Sequence, residues 1–294
     1  MRILHLDAGR EMRGGQWQVL RLIEGLAAAG VESTLLAREN APLFAAVRKG
    51  GWRVEPLGLT RTLMLIRRHD LIHAHDARTH TLGAFVRKIP LVVSRRVTFP
   101  VGSRWKYGRA RRYLAVSDFV KSVLIAGGVP PEKIAVVYDG VPVLESCPGK
   151  SVIAVANAGD PRKGAPLAVE AARLAGVTLE LSGDLERDLR HAAVMVYVTH
   201  SEGLGSGVLL AMSAGVPVIA SNVGGLPEII RHGENGMLVN NVAEEIAGAI
   251  RDLLGDPARA RRIGMAGRHT VMEQFTVDHM VRRTMEVYRQ VLIC

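Results

Sequence analysis

A carboxylate stands inside a glycine-rich turn at Ser201-Glu202-Gly203-Leu204-Gly205-Ser206-Gly207. The run before it (194–199) has the unbroken apolar character of a buried strand, and the small-residue run after it (208–214) reads as a helix. Such a loop turns backbone N–H groups and the positive end of the helix toward one point, which favours an anion such as a phosphate. Glu202 would repel a bare anion there. A group carrying hydroxyls relieves the conflict, because a carboxylate accepts their hydrogen bonds, so a sugar attached to a phosphate suits both features. The apolar run at 217–221 closes a strand–helix–strand unit and sets the loop at the carboxyl end of a parallel sheet.

Three other clusters have residue types that do chemistry. Gly159-Asp160-Pro161-Arg162-Lys163-Gly164 follows a strand pattern (151–156) and precedes a helix pattern (165–174). There Lys163, and less centrally Arg162, can set charge on a diphosphate held by helix-end amides; the competing reading is an exposed basic turn. Arg13-Gly14-Gly15 ends the loop after the first strand, where paired glycines let the backbone approach a phosphate closely or simply make a tight turn. Asp70-Leu71-Ile72-His73-Ala74-His75-Asp76 is a strand that delivers polar residues at its carboxyl end. His73 and His75 share one face of it. His75, nearer the end, is the better candidate to reach a ligand, and its near-neutral ordinary pKa would permit hydrogen bonding in either protonation state.

The elements that must position these groups alternate along the whole chain. Short apolar runs at 2–6, 31–37, 53–57, 71–74, 91–94, 113–116 and 134–137 are separated mostly by helical patterns, such as 16–29 and 77–87. A second series runs through 151–156, 177–182, 193–199, 217–221 and 237–239, and helices close the chain at 242–254, 257–273 and 276–291. Alternation of this kind predicts parallel, doubly wound α/β sheets. At 294 residues the chain fits two such domains. The turn-rich segment 139–149 reads as the hinge, and a cleft between the carboxyl-end loops of two facing domains is the expected ligand site.

The net charge of +10 is uneven. Residues 1–145 have 23 basic and 12 acidic side chains, whereas the remainder has 15 and 16. Between Ala77 and Ser117 there is no acidic residue, while arginines and lysines accumulate, including Arg95, Arg96, Arg104 and Lys106. That run is a solvated face or the contact for an anionic partner, either an anionic membrane leaflet or a phosphorylated substrate. Nucleic acid fits less well, since aromatics are 4% of the chain and no recognition motif accompanies the cations. Cys147 and Cys294 have no metal-ligand spacing, so neither a disulfide framework nor a zinc site is expected. Without a leader-like start or an apolar run of about 18 residues, a cytoplasmic location is expected.

In order along the chain, these pieces resemble the retaining family 4 glycosyltransferases of the GT-B fold. The resemblance rests on Gly14-Gly15, His73-Ala74-His75, Ala115-Val116-Ser117, Asp139-Gly140-Val141, Asp160 to Gly164, and the long run from Ser201 through Ala214-Gly215-Val216-Pro217 to Ser221. Gly224-Gly225-Leu226-Pro227-Glu228 and Gly233-Glu234-Asn235-Gly236 continue it. It implies two Rossmann-like domains: an acceptor-side domain over 1–145, a nucleotide-sugar donor domain over 146–275, and a last helix (276–294) packing back on the first. It also implies transfer of a sugar from a nucleotide-diphosphate donor with retention at the anomeric carbon, no metal and no other cofactor.

Matched residue by residue, Lys163 stabilises the departing diphosphate, Glu202 holds donor-sugar hydroxyls and His75 stands near the reacting centre. Gly14, Gly15, Arg162, Gly203, Gly205, Ser206 and Gly207 contribute donor contacts. Two matched positions depart from the family: Leu210 stands where a ribose-binding glutamate is common, and Asn157 where an arginine faces the diphosphate. The run 181–193 is short where relatives fit an extra strand and helix, so this is a shortened member. The acceptor expected is an anionic glycan, lipid-linked or phosphorylated, met at the cytoplasmic face of a membrane. The rival expectation is a catalytically silent GT-B homologue acting as a binding or scaffold protein, and an epimerase on the same plan is a further one.

Overall fold

The computed structural model describes residues 1–145, 149–155 and 163–293. The chain divides into two compact units, Met1–Gly140 with Val277–Cys294, and Val141–Thr276. The boundary expected at 145 therefore falls at 140. The reason is local pairing: Val141 N–H donates to the Phe275 carbonyl at 2.9 Å and Val141 bridges Thr276, so the segment after Gly140 is held by the second unit.

The first unit is built on a seven-stranded, wholly parallel sheet. Its strands are β1 (Arg2–Leu6), β2 (Glu32–Ala37), β3 (Arg53–Pro56), β4 (Leu71–Ala74), β5 (Leu91–Arg95), β6 (Arg112–Ala115) and β7 (Ile134–Val136), in the spatial order β3-β2-β1-β4-β5-β6-β7. The helices α1 (Gly14–Ala28), α2 (Pro42–Lys49), α3 (Leu59–Leu65), α4 (Ala77–Phe85), α5 (Arg104–Arg109) and α6 (Asp118–Ala126) connect them. Chain reversal between β1 and β4, neighbours in space, makes the ends of these two strands the switch point where such sheets bind ligands.

The second unit has a five-stranded parallel sheet in the order β12-β11-β10-β8-β9. Here β8 is Ser151–Val155, β9 Leu179–Ser182, β10 Ala192–Tyr197, β11 Val218–Ser221 and β12 Met237–Val239. Its helices are α7 (Ala165–Ala175), α8 (Leu185–Asp188), α9 (Ser206–Ser213), α10 (Leu226–Ile229), α11 (Ala243–Gly255) and α12 (Pro257–Gln274). The short run 181–193 contains α8 and a single 3-10 turn, Leu189–His191. The final helix, α13 (Val277–Ile293), belongs to the first unit. Its buried residues Met280, Val281, Thr284, Val287, Tyr288 and Val291 recur at helical spacing. That stripe joins Leu22 and Leu26 of α1 and Leu71, Val92 and Leu114 of the sheet in one core.

Candidate functional site

In the second unit the glycine loop leaves β10 and opens α9. Its entry is pinned by a short network at the strand ends. Thr199 N–H donates to Ser221 Oγ at 2.9 Å, Ser221 Oγ donates to Asn241 Oδ1 at 2.6 Å, and Asn241 Nδ2 returns to the Thr199 carbonyl at 3.0 Å. Gly205 then caps α9 with φ +104°, a conformation that disfavours every side chain. The Gly224-Gly225 pair lies under the loop: a Cβ on Gly224 would sit 2.0 Å from the Glu202 carbonyl oxygen, and one on Gly225 2.2 Å from that of Gly203. These two glycines set the height of the Glu202 backbone.

Glu202 and Lys163 meet directly. Lys163 Nζ donates to Glu202 Oε2 at 2.6 Å and to the Tyr197 hydroxyl at 3.0 Å, while Tyr197 OH donates to the same Oε2 at 2.5 Å. Glu202 Oε1 accepts from the Gly203 N–H at 3.1 Å. The side chains of Lys163 and Glu202 keep 22% and 16% of their surface, so the pair is open on one side to a ligand. Burial, the Glu202 charge and its hydrogen bond together push the Tyr197 phenol well above its ordinary pKa, so it remains a donor. Lys163 is carried by backbone pairing with Thr199 and by Gly164 N–H donating to the Val198 carbonyl at 3.0 Å, which holds these two residues against the end of β10.

Ser206 and Gly207 form the first turn of α9, and Gly203 and Gly205 flank Leu204 in the loop. Leu210 is 6% exposed on a helix buried from Val208 to Ser213, so its apolar side chain is packed into the interior of the second unit. Asn157 and Arg162, and with them most of the Asp160 to Gly164 motif, lie outside the described residues.

In the first unit, β1 and β4 are in register with His5 opposite His73, and His75 follows on the same face. His5 Nδ1 and His75 Nε2 share a hydrogen bond of 3.0 Å. His73 is held at both ring nitrogens, by Tyr288 OH at 2.6 Å and Ser94 Oγ at 2.8 Å. Burial dominates all three: it lowers the His5 pKa to about 3, with His69 adding to it, and drives His73 and His75 well below their usual value, with neighbouring rings and Arg96 adding to it. The expectation that His75 could work in either protonation state is thereby corrected. It is 7% exposed and neutral, with Nδ1 buried and unpartnered.

One ring nitrogen of each of the three histidines lies within 4.8 Å of the others, the one such group among the described residues that could hold a metal ion. His73, bonded at both ring nitrogens, would have to give up one of those bonds to hold a cation.

The loop after β1 is tied to the same strand end. Asp7 accepts from Gly9 N–H at 2.8 Å and Gln16, and Asp76 Oδ2 accepts from Ala8 N–H at 2.7 Å while Oδ1 caps α4. Gly14 and Gly15 are the first residues of α1, and a Cβ on Gly15 would meet nothing within 4 Å. Open space and helix-start N–H groups are what a phosphate or hydroxyl needs there.

The basic candidates divide. Arg95 is 8% exposed, donating to Tyr107 OH at 2.6 Å and to the Phe99 carbonyl, and Arg96 pairs with Asp139 at 2.9 Å. Both are interior braces rather than the surface contacts expected, because their guanidinium groups are taken up inside the unit. Arg104 is exposed, and Lys106 is half-buried against the Ala77 carbonyl at 3.3 Å. Sequence reasoning missed Tyr197, His5 and Tyr288. Tyr197 had a signal, as the last residue of the strand feeding the loop; His5 and Tyr288 had none, since their partners are 70 and 215 residues away.

Two parallel α/β units, each with a glycine-led helix start at the carboxyl end of its sheet, define the GT-B class. The fold is that of Anabaena HepE in complex with UDP and glucose (TM-score 0.85, 18% identity, 99% of this chain and 100% of that one). It is also that of sucrose-phosphate synthase from Thermosynechococcus elongatus (TM-score 0.80, 19% identity, 99% of each).

The model Glycosyltransferase Family 4 matches residues 12–143, and the model Glycosyl transferases group 1 matches 167–270. Together these matches assign the chain to the family 4 glycosyltransferases. Among curated relatives it is 39% identical over 110 residues to alpha-maltose-1-phosphate synthase of Mycolicibacterium smegmatis, covering 35% of this chain and 28% of that protein. It is 40% identical over 89 residues to the GDP-mannose-dependent alpha-(1-6)-phosphatidylinositol monomannoside mannosyltransferase of Mycobacterium tuberculosis, covering 30% and 23%. The matched segments thus span less than a third of either relative.

Proposed function

We propose that this chain transfers a sugar from a nucleotide-diphosphate donor, with retention at the anomeric carbon, to an anionic acceptor such as a lipid-linked or phosphorylated glycan. The observation that carries the reading is the Lys163–Tyr197–Glu202 cluster beside the glycine-led start of α9. An ammonium group and helix-end amides suit a departing diphosphate, and a carboxylate fixed by a phenol suits donor-sugar hydroxyls. Such groups act by positioning and by stabilising charge that develops as the sugar–phosphate bond breaks. In the first unit, the N–H groups at Gly14 and Gly15 would contribute backbone donors. From the family resemblance, His75 is the first unit's candidate for the reacting centre; its unpartnered Nδ1 is buried. No metal or other cofactor is assigned a role.

The matched relatives support the donor class, since one solved structure of this fold holds UDP and glucose and one curated relative is named as GDP-mannose-dependent. For the acceptor and for action at the cytoplasmic face of a membrane, the support is the excess of positive charge in residues 1–145. The rival reading, a catalytically silent scaffold, is favoured by Leu210.

A donor panel decides between them. UDP-, GDP-, ADP- and TDP-sugars are screened by thermal shift, since a ligand bound to the native state alone raises its stability. The positive donor is then assayed for nucleotide release with the wild type and Lys163→Ala, with and without chelator. A shift with one donor, release that chelator leaves intact, and loss of release in the variant are expected. No stabilisation by any donor at millimolar concentration would establish the silent protein instead.

A further inference from the structure

We propose that the amino-end rim of the first sheet is a docking surface for an anionic lipid bilayer. A groove of about 730 Å³ opens there, at the starts of β5 and β6 and the last turns of α13. Arg87, Lys88, Arg109, Arg111, Arg112 and Lys133 line it, with no acidic side chain in the lining. Among the described residues none of the six makes an ion pair with a carboxylate; Glu132 is next to Lys133 in the chain but pairs with none of them. The floor is apolar, from Val86, Pro90, Leu91, Ala110 and Val291.

Beside the cations stands an exposed aromatic pair, Phe85 (65% exposed) at the end of α4 and Trp105 (46%) on α5, their rings 5.0 Å apart. The Arg109 guanidinium lies 5.6 Å over the Trp105 ring, which joins the aromatic pair to the basic groove.

Several unpaired cations on one rim repel each other and persist more easily where an anionic surface meets them. Exposed aromatics beside them are the other half of an interfacial site, since Trp and Phe settle at headgroup depth while Lys and Arg engage anionic headgroups. A bilayer is favoured over a single-stranded nucleic acid because Phe85 and Trp105 pack on each other and under Arg109 rather than offering separate open faces for bases. The rim is at the opposite end of the strands from His75 and Gly14, so the surface is separate from the proposed reaction. It rests on the membrane part of the reading above and is independent of the transfer chemistry.

The test is co-sedimentation of the full chain with vesicles. One set is equal parts phosphatidylcholine and phosphatidylglycerol, the other phosphatidylcholine alone. Wild type is expected to pellet with the first and not the second, with binding falling as salt rises. The triple variant Arg87→Gln, Lys88→Gln, Arg111→Gln is expected to lose on the order of 100-fold in vesicle affinity, at about fivefold per charge removed. Phe85→Ser with Trp105→Ser is expected to abolish the part of the binding that survives high salt.

All variants should keep the wild-type melting profile and donor thermal shift, so failure of the docking surface and failure of the transferase reading give different results. Equal sedimentation with both vesicle sets, or undiminished binding by the triple variant, overturns the proposal. So does equally tight binding of a single-stranded RNA with the same dependence on these residues.

Discussion

The histidine cluster under the switch point should make the first unit acid-labile, and the size of the effect follows from burial. His5, His73 and His75 are kept neutral in the folded chain, His5 down to about pH 3, against an ordinary value of 6.5. A lowered folded-state pKa means that the unfolded chain takes up protons first. Stability is therefore complete above pH 6.5 and is lost as pH falls below it toward the folded values. Between about pH 7 and about pH 5.5, three such groups remove about 4 kcal/mol, a large part of the 5–15 kcal/mol that holds an ordinary domain together.

His69 and His80, also lowered by burial, add to the trend. Asp7 opposes it, because burial raises its pKa and the folded state then holds that proton more tightly. The assay is urea unfolding across this pH range, with the slope of stability against pH giving the protons taken up. About three or more at about pH 5.5 are expected. Uptake of less than about one proton would refute the assignment of neutral, buried imidazoles.

Other substitutions probe the second unit and the tie of α13. Tyr197→Phe removes a hydroxyl that touches both Lys163 and Glu202, and kcat/KM for donor turnover should fall by about tenfold or more, with little change in Tm. Gly224→Ala must drive a Cβ into the Glu202 carbonyl at φ +59°, so a stability loss of more than about 2 kcal/mol and loss of the donor thermal shift are expected in calorimetry. Tyr288→Phe leaves His73 short of one buried partner, and urea unfolding should show a cost of about 1–3 kcal/mol.

Local order along this chain determined much of the architecture. Alternating apolar runs and helical stripes set two parallel α/β series, because period and burial are properties of neighbouring residues. The glycine loop around Glu202 and the basic turn at Lys163 were legible for the same reason, since strand, turn and helix start are contiguous there. Only the tertiary structure decided what those residues meet. It brought Lys163 and Glu202 together from 39 residues apart and added Tyr197 between them. It withdrew Arg95 and Arg96 into the interior, and it turned His75 from a ligand candidate able to bond in either protonation state into a buried, neutral partner of His5. Charge state and accessibility depend on which distant chains close over a group, and that is set when sheets and helices pack, not by the order of residues along one strand.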